Sequence, residues 1–310
     1  MNKICELLNI EYPIIQGGMA NIATSGLASS VSNAGGLGLI GAGGNSAEWV
    51  RGEIKKCKEL TDKPFGVNIM LMNPEAANIV DVVVEEGVPV VTTGAGNPGI
   101  YMKKLKEAGI VVIPVVPSVA LAKRVESAGA DAVVVEGTEA GGHIGEITTM
   151  TLVPQVVDAV KIPVIAAGGI ADSRGVVAAF SLGASGVQVG TIILASEECP
   201  IHINYKQMVV NARDTDTIVT GRQTGAPVRV LKNKMAREYV RLSNLGTTLD
   251  ELEKLTLGSL RRAVLDGDVD TGSFMAGQIS GLIKEIKPVK QIIEDLFNGT
   301  DSIIKGLEIR

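Results

Sequence analysis

The fold can be predicted from one stretch of the sequence, PVIAAGGIADSRGVVAAFSLGASGVQVGT (163–191). An apolar run that ends in Gly168 and Gly169 is followed by a helical stretch, and a second apolar run ends in Gly190 and Thr191. Parallel strands buried on both faces are apolar throughout and are connected by helices, so the stretch predicts two consecutive β-α units. In a barrel of such units, the loops after the seventh and eighth strands commonly bind phosphate through backbone N–H groups. These four residues are therefore the candidate phosphate site.

The same unit recurs through the first two thirds of the chain. Stretches with helical spacing and polar faces, such as 46–60, 74–86, 99–108 and 119–127, alternate with short runs rich in β-branched residues. The eight runs are YPIIQ (12–16), GLGLIG (36–41), PFGVNIM (64–70), PVVTTG (89–94), VVIPVV (111–116), DAVVVEG (131–137), PVIAAGG (163–169) and GVQVGTI (186–192). Eight β-α units in roughly 190 residues predict a (β/α)8 TIM barrel, and an open doubly wound sheet is the alternative.

The repeat stops after the eighth run. Residues 200–256 are more polar than the preceding part of the chain and contain a run of basic residues. Helical spacing returns in the segments 257–265, 277–286 and 289–297. We therefore expect residues 1–199 and 257–310 to form the barrel, with a small lid or substrate subdomain of residues 200–256 inserted after strand eight.

The composition disfavours several classes of protein. The chain has 310 residues, a net charge of −5, and only one Trp, four Tyr and four Phe. Nucleic-acid binding uses stacking side chains and a basic surface, so this class is not expected. The 37 glycines follow no three-residue period, which excludes collagen, and a hydrophobic content of 45% excludes a disordered chain.

The cysteines and the apolar stretches indicate the compartment. Cys5, Cys57 and Cys199 form no C-x-x-C pair, which indicates a reducing environment. Glu6 and Glu11 interrupt the segment where a signal peptide needs an apolar core, and the longest apolar stretch is too short to cross a bilayer. We expect a cytoplasmic protein that binds no membrane. With only two histidines and separated cysteines, we also expect no transition-metal site.

Glycines collect where the predicted strands end, which is the active-site end of a TIM barrel. Gly17 and Gly18 follow the first strand, and Gly141 and Gly142 lie in the segment after the sixth. Because glycine lets the backbone approach a ligand closely, this ring of strand ends predicts a cup for a large flat or phosphorylated ligand. His143 stands in the same ring, and histidine is the side chain that most often acts as a general acid or base, which makes it the candidate acid or base. A structural or exposed histidine is the alternative.

Other motifs do not support a site of their own. The segment GAGNPG (94–99) has the spacing of a dinucleotide-binding loop, but the next strand ends in VVPS (115–118), with no carboxylate to hold a ribose. The segment DGDVDTG (266–272) lacks the glycine and the terminal glutamate of a calcium loop. No lysine ends a predicted strand, and no cysteine lies between residues 57 and 199. Without such nucleophiles, the pattern favours a barrel whose bound cofactor supplies the chemistry.

Eight segments, which occur in one order along the chain, carry a resemblance that extends from residue 13 to about residue 286. They are IIQGGMA (14–20), FGVNIM (65–70), VVTTGAGNP (90–98), PVVPSVALA (114–122), EGTEAGGHIG (136–145), PVIAAGGIAD (163–172), VQVGT (187–191) and FMAGQISG (274–281). In this order they resemble the FMN-dependent enoyl-acyl-carrier-protein reductase II family and its relatives, the nitronate monooxygenases. The segments GTEAGGHIG and MAGQISG are closer to the reductases, although the two branches share most of these motifs.

The resemblance implies a flavin barrel and gives roles to individual residues. Those expected to bind FMN are Gly17, Gly18, Met19, Asn68, Gly141, Gly142, Gly168, Gly169, Gly190, Thr191, Met275, Gly277 and Gln278. The candidate phosphate site would hold the FMN phosphate, and Asn68 would hydrogen-bond the flavin ring. Met275, Gly277 and Gln278 would close over the ring. NADH or NADPH would be the co-substrate.

The resemblance also implies an activity. FMN would pass a hydride from the nicotinamide to a trans-2-enoyl-acyl-carrier-protein, which is the last step of the bacterial fatty-acid elongation cycle. His143 would polarise the thioester carbonyl or supply a proton to the α-carbon. The carrier is acidic and would be attracted by the run of basic residues in the segment 200–256. The alternative interpretation is that these residues form an ordinary solvated helix face. The basic residues are Arg229, Lys232, Lys234, Arg237 and Arg241.

The remaining expectations concern the oligomeric state of the protein and two alternative functions. Members of the family are often dimers, so we expect a homodimer. A nitronate monooxygenase on the same flavin barrel, which uses oxygen and no nicotinamide, is the first alternative. The more distant alternative is a barrel without flavin that binds a phosphorylated metabolite as a sensor or lyase.

Overall fold

Eight short parallel strands form at the eight predicted runs, in a computed structural model that describes residues 2–308. They are β1 (Ile14–Gln16), β2 (Gly38–Gly41), β3 (Phe65–Met70), β4 (Val90–Gly94), β5 (Val111–Val116), β6 (Val133–Glu136), β8 (Val164–Ala167) and β9 (Gly186–Val189). The sheet order is β1-β9-β8-β6-β5-β4-β3-β2. Hydrogen bonds of 2.9 Å from the N–H of Gln16 to the carbonyl of Leu37, and from the N–H of Leu37 to the carbonyl of Ile14, join β1 to β2. The sheet therefore closes, and the TIM barrel rather than the open sheet is confirmed.

Helices surround the barrel between successive strands. They are α2 (Ser25–Asn33), α3 (Ala47–Leu60), α4 (Ala76–Glu85), α5 (Gly99–Glu107), α6 (Val119–Ser127), α7 (Thr149–Val157), α8 (Ser173–Ser181) and α9 (Thr191–Leu194). The four helices predicted from spacing correspond to α3, α4, α5 and α6. Their apolar stripes face the strands, as in α3, where Val50, Ile54 and Cys57 are fully buried.

The interior of the barrel is filled by aliphatic side chains. Ile15, Leu39, Val90 and Ile113 are among the buried residues that pack there, and α1 (Lys3–Leu8) contributes two more side chains from below. Side chains alternate between the two faces of a strand, so the residue two positions further toward the carboxyl end of each strand also faces the interior. Most of those positions carry polar residues or glycine, with Val115 on β5 and Ala167 on β8 as exceptions, and they form the mouth of the barrel.

A small antiparallel sheet lies over the loop after β6. Its hairpin consists of β10 (Thr217–Thr220) and β11 (Val228–Leu231), and β11 also pairs with the two-residue strand β7 (Gly142–His143). In this register Val228 lies opposite His143 and Arg229 lies opposite Gly142. The helices α10 (Ile203–Val210), α11 (Lys234–Asn244) and α12 (Leu249–Thr256) complete the segment 200–256. The segment is thus attached to the mouth of the barrel through β7.

The C-terminal part returns to the barrel. It contains α13 (Ser259–Arg261), a π-helical turn (Arg262–Asp266), a 3-10 turn (Gln278–Leu282), α14 (Val289–Asn298) and α15 (Thr300–Gly306). The helix expected over 277–286 is only this 3-10 turn, because the Ser280 hydroxyl donates to the carbonyl of Gly277 at 2.7 Å and Gly281 packs closely on Asp214. Among residues 2–308, none of the helices has the length and apolar content that crossing a bilayer requires.

Candidate functional site

Polar side chains line the mouth of the barrel just above its aliphatic interior. Asn68 on β3 donates through Nδ2 to Oγ1 of Thr92 on β4 at 2.9 Å, and Thr92 is fully buried. Glu136 ends β6 and Gln188 lies on β9, at inward-facing positions of the same level. A layer of amide, hydroxyl and carboxyl groups therefore faces any ligand that enters the barrel mouth.

The loop after β1 lies directly on Asn68. A Cβ atom added at Gly18 would be 2.2 Å from the Cβ of Asn68, so only glycine lets the backbone come this close. Met19 continues across the mouth toward strand β9, since a Cβ at Gly190 would lie 3.8 Å from its Sδ atom. The structure thus brings Gly18, Met19, Asn68 and Gly190 together, and Gly17 packs beside Gln188.

Gln188 has a buried acceptor with no partner. Its Oε1 atom is inaccessible to solvent and receives no hydrogen bond within the described residues. A buried, unsatisfied carbonyl oxygen costs free energy, and such a group in a barrel mouth indicates a ligand that donates to it. A flavin ring, which carries both donors and acceptors, fits this amide together with Asn68.

Glu136 is a titratable group at the mouth that the sequence did not single out. Burial raises the pKa of its carboxyl to about 7, so near neutral pH this carboxyl is protonated in a large fraction of the molecules. A protonated carboxyl can donate a hydrogen bond as well as accept one. The signal that could have found both Glu136 and Gln188 is strand alternation, because each is polar at an inward-facing position of an otherwise apolar run.

The candidate phosphate site has free backbone donors. Gly168 and Gly169 adopt φ angles of +94° and +76°, a left-handed conformation that glycine tolerates, where β8 ends. The N–H groups of Gly169 and Gly190 donate to no acceptor within residues 2–308. These donors point to an anion, because polar backbone groups near the core are otherwise paired.

The helix beside the candidate phosphate site whose N-terminus is uncapped is α9 rather than α8. Asp172 already accepts hydrogen bonds from the N–H groups of Arg174 and Gly175 at 2.9 and 3.2 Å, so its carboxylate occupies the N-terminus of α8. In contrast, α9 begins after Gly190 with no side-chain cap. A short extra helix after the eighth strand is the usual companion of a barrel phosphate site.

The segment 275–278 closes the mouth on the side of the phosphate site. The N–H of Gly277 donates to Oγ1 of Thr191 at 2.9 Å, and the N–H of Gln278 donates to the carbonyl of Glu139 at 2.9 Å. A Cβ at Gly141 would be 2.6 Å from the carbonyl carbon of Ala276, so the loop after β6 packs backbone to backbone on this segment. The expected closing residues and the glycines of EGTEAGGHIG therefore lie together.

Tyr205 on α10 holds the same segment from outside. Its hydroxyl donates to the carbonyl oxygen of Met275 at 2.7 Å, and its ring packs edge-on against Phe274 with centroids 4.8 Å apart. The side chain is fully buried. Nothing in the sequence marked Tyr205, because the contact joins residues 70 positions apart.

His143 is exposed at the mouth and its backbone is fixed. Strand pairing places it opposite Val228, and the N–H of Ile144 donates to the carbonyl of Pro227 at 3.1 Å. The neighbouring Gly142, with a φ angle of +79°, brings the chain close to the thioether of Met275. A side chain that is free to solvent on a rigid backbone can meet a substrate that enters from outside.

Arg229 does not belong to an exposed basic surface. Only 6% of it is exposed, and its Nε and Nη2 atoms donate to the carbonyl of Thr138 at 3.1 and 3.0 Å. Burial, with the nearby charge of Arg222, lowers the pKa of this guanidinium. Arg229 therefore anchors the loop that carries His143, and the sequence could not separate it from the surface residues of the same run.

The other basic residues of that run lie on the surface in different settings. Lys232 donates through Nζ to the carbonyl of Thr215, and Arg241 pairs with Glu238 at 2.7 Å. Lys234 and Arg237 are exposed at the start of α11, and neither has an ion-pair or hydrogen-bond partner in the part of the chain described. Within the same residues, no three His, Cys, Asp or Glu side chains are arranged to hold a metal ion.

Three comparisons relate the chain to known proteins. A model of the nitronate monooxygenase family matches residues 2–299. The structure of FabK from Thermotoga maritima is 52% identical, covers 98% of this chain and 97% of that chain, and superposes with a TM-score of 0.96. A probable nitronate monooxygenase from Staphylococcus saprophyticus is 37% identical over 92% of this chain and 93% of its own. A 5-hydroxy-7a-methyl-1-oxo-octahydro-1H-indene-4-carboxyl-CoA dehydrogenase from Mycobacterium tuberculosis is 34% identical over 94% of each chain.

Proposed function

Because the chain belongs to the nitronate monooxygenase family of flavin-dependent oxidoreductases, we propose that it is an enoyl-acyl-carrier-protein reductase that uses FMN and NADH or NADPH. The observation that carries this proposal is the likeness to FabK, an enoyl-acyl-carrier-protein reductase II, which is 52% identical over 98% of the chain. The identity to the probable nitronate monooxygenase is 37%. The proposed product is the saturated acyl-acyl-carrier-protein.

The residues at the mouth fit FMN. The free N–H groups of Gly169 and Gly190 would bind its phosphate beside α9. Asn68, Gln188 and Glu136 would hydrogen-bond the polar edge of the ring. When bound, FMN would carry a hydride from the nicotinamide to the β-carbon of the enoyl thioester.

His143 is proposed to act on the thioester. Its exposed ring could donate a hydrogen bond to the carbonyl oxygen or a proton to the α-carbon, directly or through one water. General acid help of this kind contributes about 10²–10⁴-fold to rate. The pairing of β7 with β11 restricts the backbone on which the ring is mounted, which limits the reorganisation needed before reaction.

The acidic carrier is proposed to dock near Lys232, Lys234 and Arg237. Among these, Lys234 is exposed and unpaired, so its charge is available to a partner. Charge reversal in Lys234→Glu should raise KM for the carrier-linked substrate and leave KM for a coenzyme A thioester unchanged. Equal effects on both substrates would refute docking at this lysine. We also propose, from the family resemblance, a cytoplasmic homodimer.

Nitronate monooxygenase activity is the second candidate, because the matching family model and a 37% identical relative carry that name. Steady-state assays distinguish the two activities. The proposal predicts that purified enzyme consumes a trans-2-enoyl thioester with NADH or NADPH and has little oxygen uptake with a nitronate. Rapid oxygen uptake with a nitronate, without reduction of the enoyl thioester, would favour the monooxygenase. A preparation without flavin would contradict both.

A further inference from the structure

A groove with apolar and charged lining residues lies outside the barrel mouth, between α10, the segment 211–216 and the end of β11. Its volume is about 380 Å³, which is within the size range of small-molecule sites. Arg213, Lys232 and Arg237 line it from three different elements. The groove uses none of the residues that the mouth of the barrel brings together.

The groove has an excess of positive charge. Arg213 pairs with Asp216 through Nε–Oδ2 and Nη2–Oδ1 contacts of 3.1 Å each, so the acid in the lining is already neutralised. The ammonium group of Lys232 donates to the carbonyl of Thr215. Hydrogen bonds from Arg213, together with the nearby charge of Lys232, lower the pKa of the Asp216 carboxyl, so these two cations share one acid. Arg237 has no partner among residues 2–308. With three cations and one acid in the lining, positive charge remains available to an anionic group such as a phosphate.

The rest of the lining suits a flat heterocycle. Met208 and Val269 supply apolar surface above the buried Leu231, and a methionine thioether packs favourably against aromatic rings. Gln207 and Asn211 add amide groups, which can both donate to and accept from the edge of a base. Apolar walls with a few convergent polar groups are typical of cofactor sites.

Strand β11 connects this groove to His143. Val228 lies opposite His143, and Lys232 follows four residues later. At about 3.3 Å per residue, the two positions are roughly 13 Å apart along the strand. An extended coenzyme could therefore place its reacting end near His143 and a distant phosphate near Lys232.

We propose that the groove binds the adenosine-phosphate end of a coenzyme. This chemistry is shared by nicotinamide coenzymes and by coenzyme A thioesters. Lys232 and Arg237 would contact the phosphate, and the base would lie on Met208 and Val269. The proposal relies on the proposed function only for the identity of the coenzyme, since the groove can be tested without turnover.

Calorimetric titration of the flavin-loaded protein tests the groove directly. The probes are adenosine 2′,5′-bisphosphate, adenosine 3′,5′-bisphosphate and ADP, which carry the phosphates of NADPH, coenzyme A and NADH. We expect saturable binding of at least one probe. Lys232→Gln and Arg237→Gln should each weaken it by about tenfold, the loss of one charge-assisted hydrogen bond. The probe that binds most tightly identifies the coenzyme.

Lys254→Gln is the matched control, because Lys254 is exposed on α12, does not line the groove and lies outside the basic run proposed to bind the carrier. It should change the affinity of the probes by less than about twofold, as surface charges beyond contact distance are screened. No saturable binding, or an equal loss in all three variants, would overturn the proposal. If the probes bind but the enzyme does not reduce an enoyl thioester, the proposed function is overturned, whereas the proposal that the groove binds an adenosine phosphate still holds.

Discussion

The backbone N–H of Gly277 donates a hydrogen bond of 2.9 Å to Oγ1 of Thr191. This contact joins the segment that closes the barrel mouth to the loop that would hold the FMN phosphate. Because Thr191 also begins α9, the helix next to the candidate phosphate site, one hydroxyl would link cofactor binding to closure. Flavin retention and substrate binding should therefore respond together when this region is altered.

Thr191→Val keeps the size of the side chain but removes the acceptor for Gly277. We expect the variant to lose about 1 kcal/mol of unfolding free energy and to release FMN faster, because a partly buried N–H loses its partner. Denaturant unfolding and the increase in flavin fluorescence on release measure the two effects. Thr191→Ser, which retains the hydroxyl, should be close to wild type, and equal flavin release in all three proteins would contradict this role.

Tyr205→Phe removes the hydroxyl that holds the carbonyl of Met275. We expect a loss of roughly 1 kcal/mol in stability and a higher KM for the enoyl substrate, since the closing segment becomes less ordered. Tyr239→Phe is the matched control, because Tyr239 is also buried but makes no hydrogen bond to that segment. If the two variants have the same KM, Tyr205 serves stability alone.

Glu136 should make the stability of the flavin-free protein depend on pH. Its carboxyl pKa is raised by burial from 4.5 to about 7, so the folded state binds a proton that the unfolded state has released. Its stabilising contribution is fully present below about pH 4.5 and is lost as pH rises through 7, by at most about 3 kcal/mol. The actual loss should be smaller, because part of the side chain reaches the mouth.

Urea unfolding at pH 5 and pH 8 checks this dependence. Glu136→Gln should gain stability relative to wild type between the two pH values, because the amide does not titrate. Glu59→Gln, which removes an exposed carboxyl on α3, controls for the change in net charge. A constant difference between wild type and Glu136→Gln across this range would contradict the raised pKa.

His143→Ala should retain bound flavin and lose most enoyl reduction. The side chain is exposed, so its removal should change stability by less than about 0.5 kcal/mol. The rate of enoyl reduction should fall by about 10²–10⁴-fold, the usual contribution of a general acid. Flavin content by absorbance and turnover with a trans-2-enoyl thioester measure the two properties, and wild-type turnover would remove His143 from the mechanism.

The sequence was sufficient for the barrel because the relevant signals are local. Apolar runs, helical spacing and the glycines at strand ends predicted all eight strands and the loop at Gly168 and Gly169. The position of β7 was not predictable in this way. A two-residue strand that pairs with a hairpin more than 80 residues later has no periodicity of its own.

The polar groups of the site were harder to predict than the glycines. Glu136 and Gln188 interrupt apolar runs by one residue each, and their importance depends on which face of the strand points inward. Arg229 stood in a basic run, yet it is buried against the carbonyl of Thr138. Charge patterns in a sequence do not reveal burial, because burial is decided by tertiary packing.

Anaerobic stopped-flow mixing distinguishes the reductase from the monooxygenase, because it separates the two half-reactions of the bound flavin. An enoyl-acyl-carrier-protein reductase should lose its flavin absorbance near 450 nm rapidly when mixed with NADH or NADPH, as a flavin that accepts a hydride does. The absorbance should then return when a crotonyl thioester is added without oxygen. If neither nicotinamide bleaches the flavin and a nitronate does, the proposed reductase activity is contradicted and the enzyme is a nitronate monooxygenase.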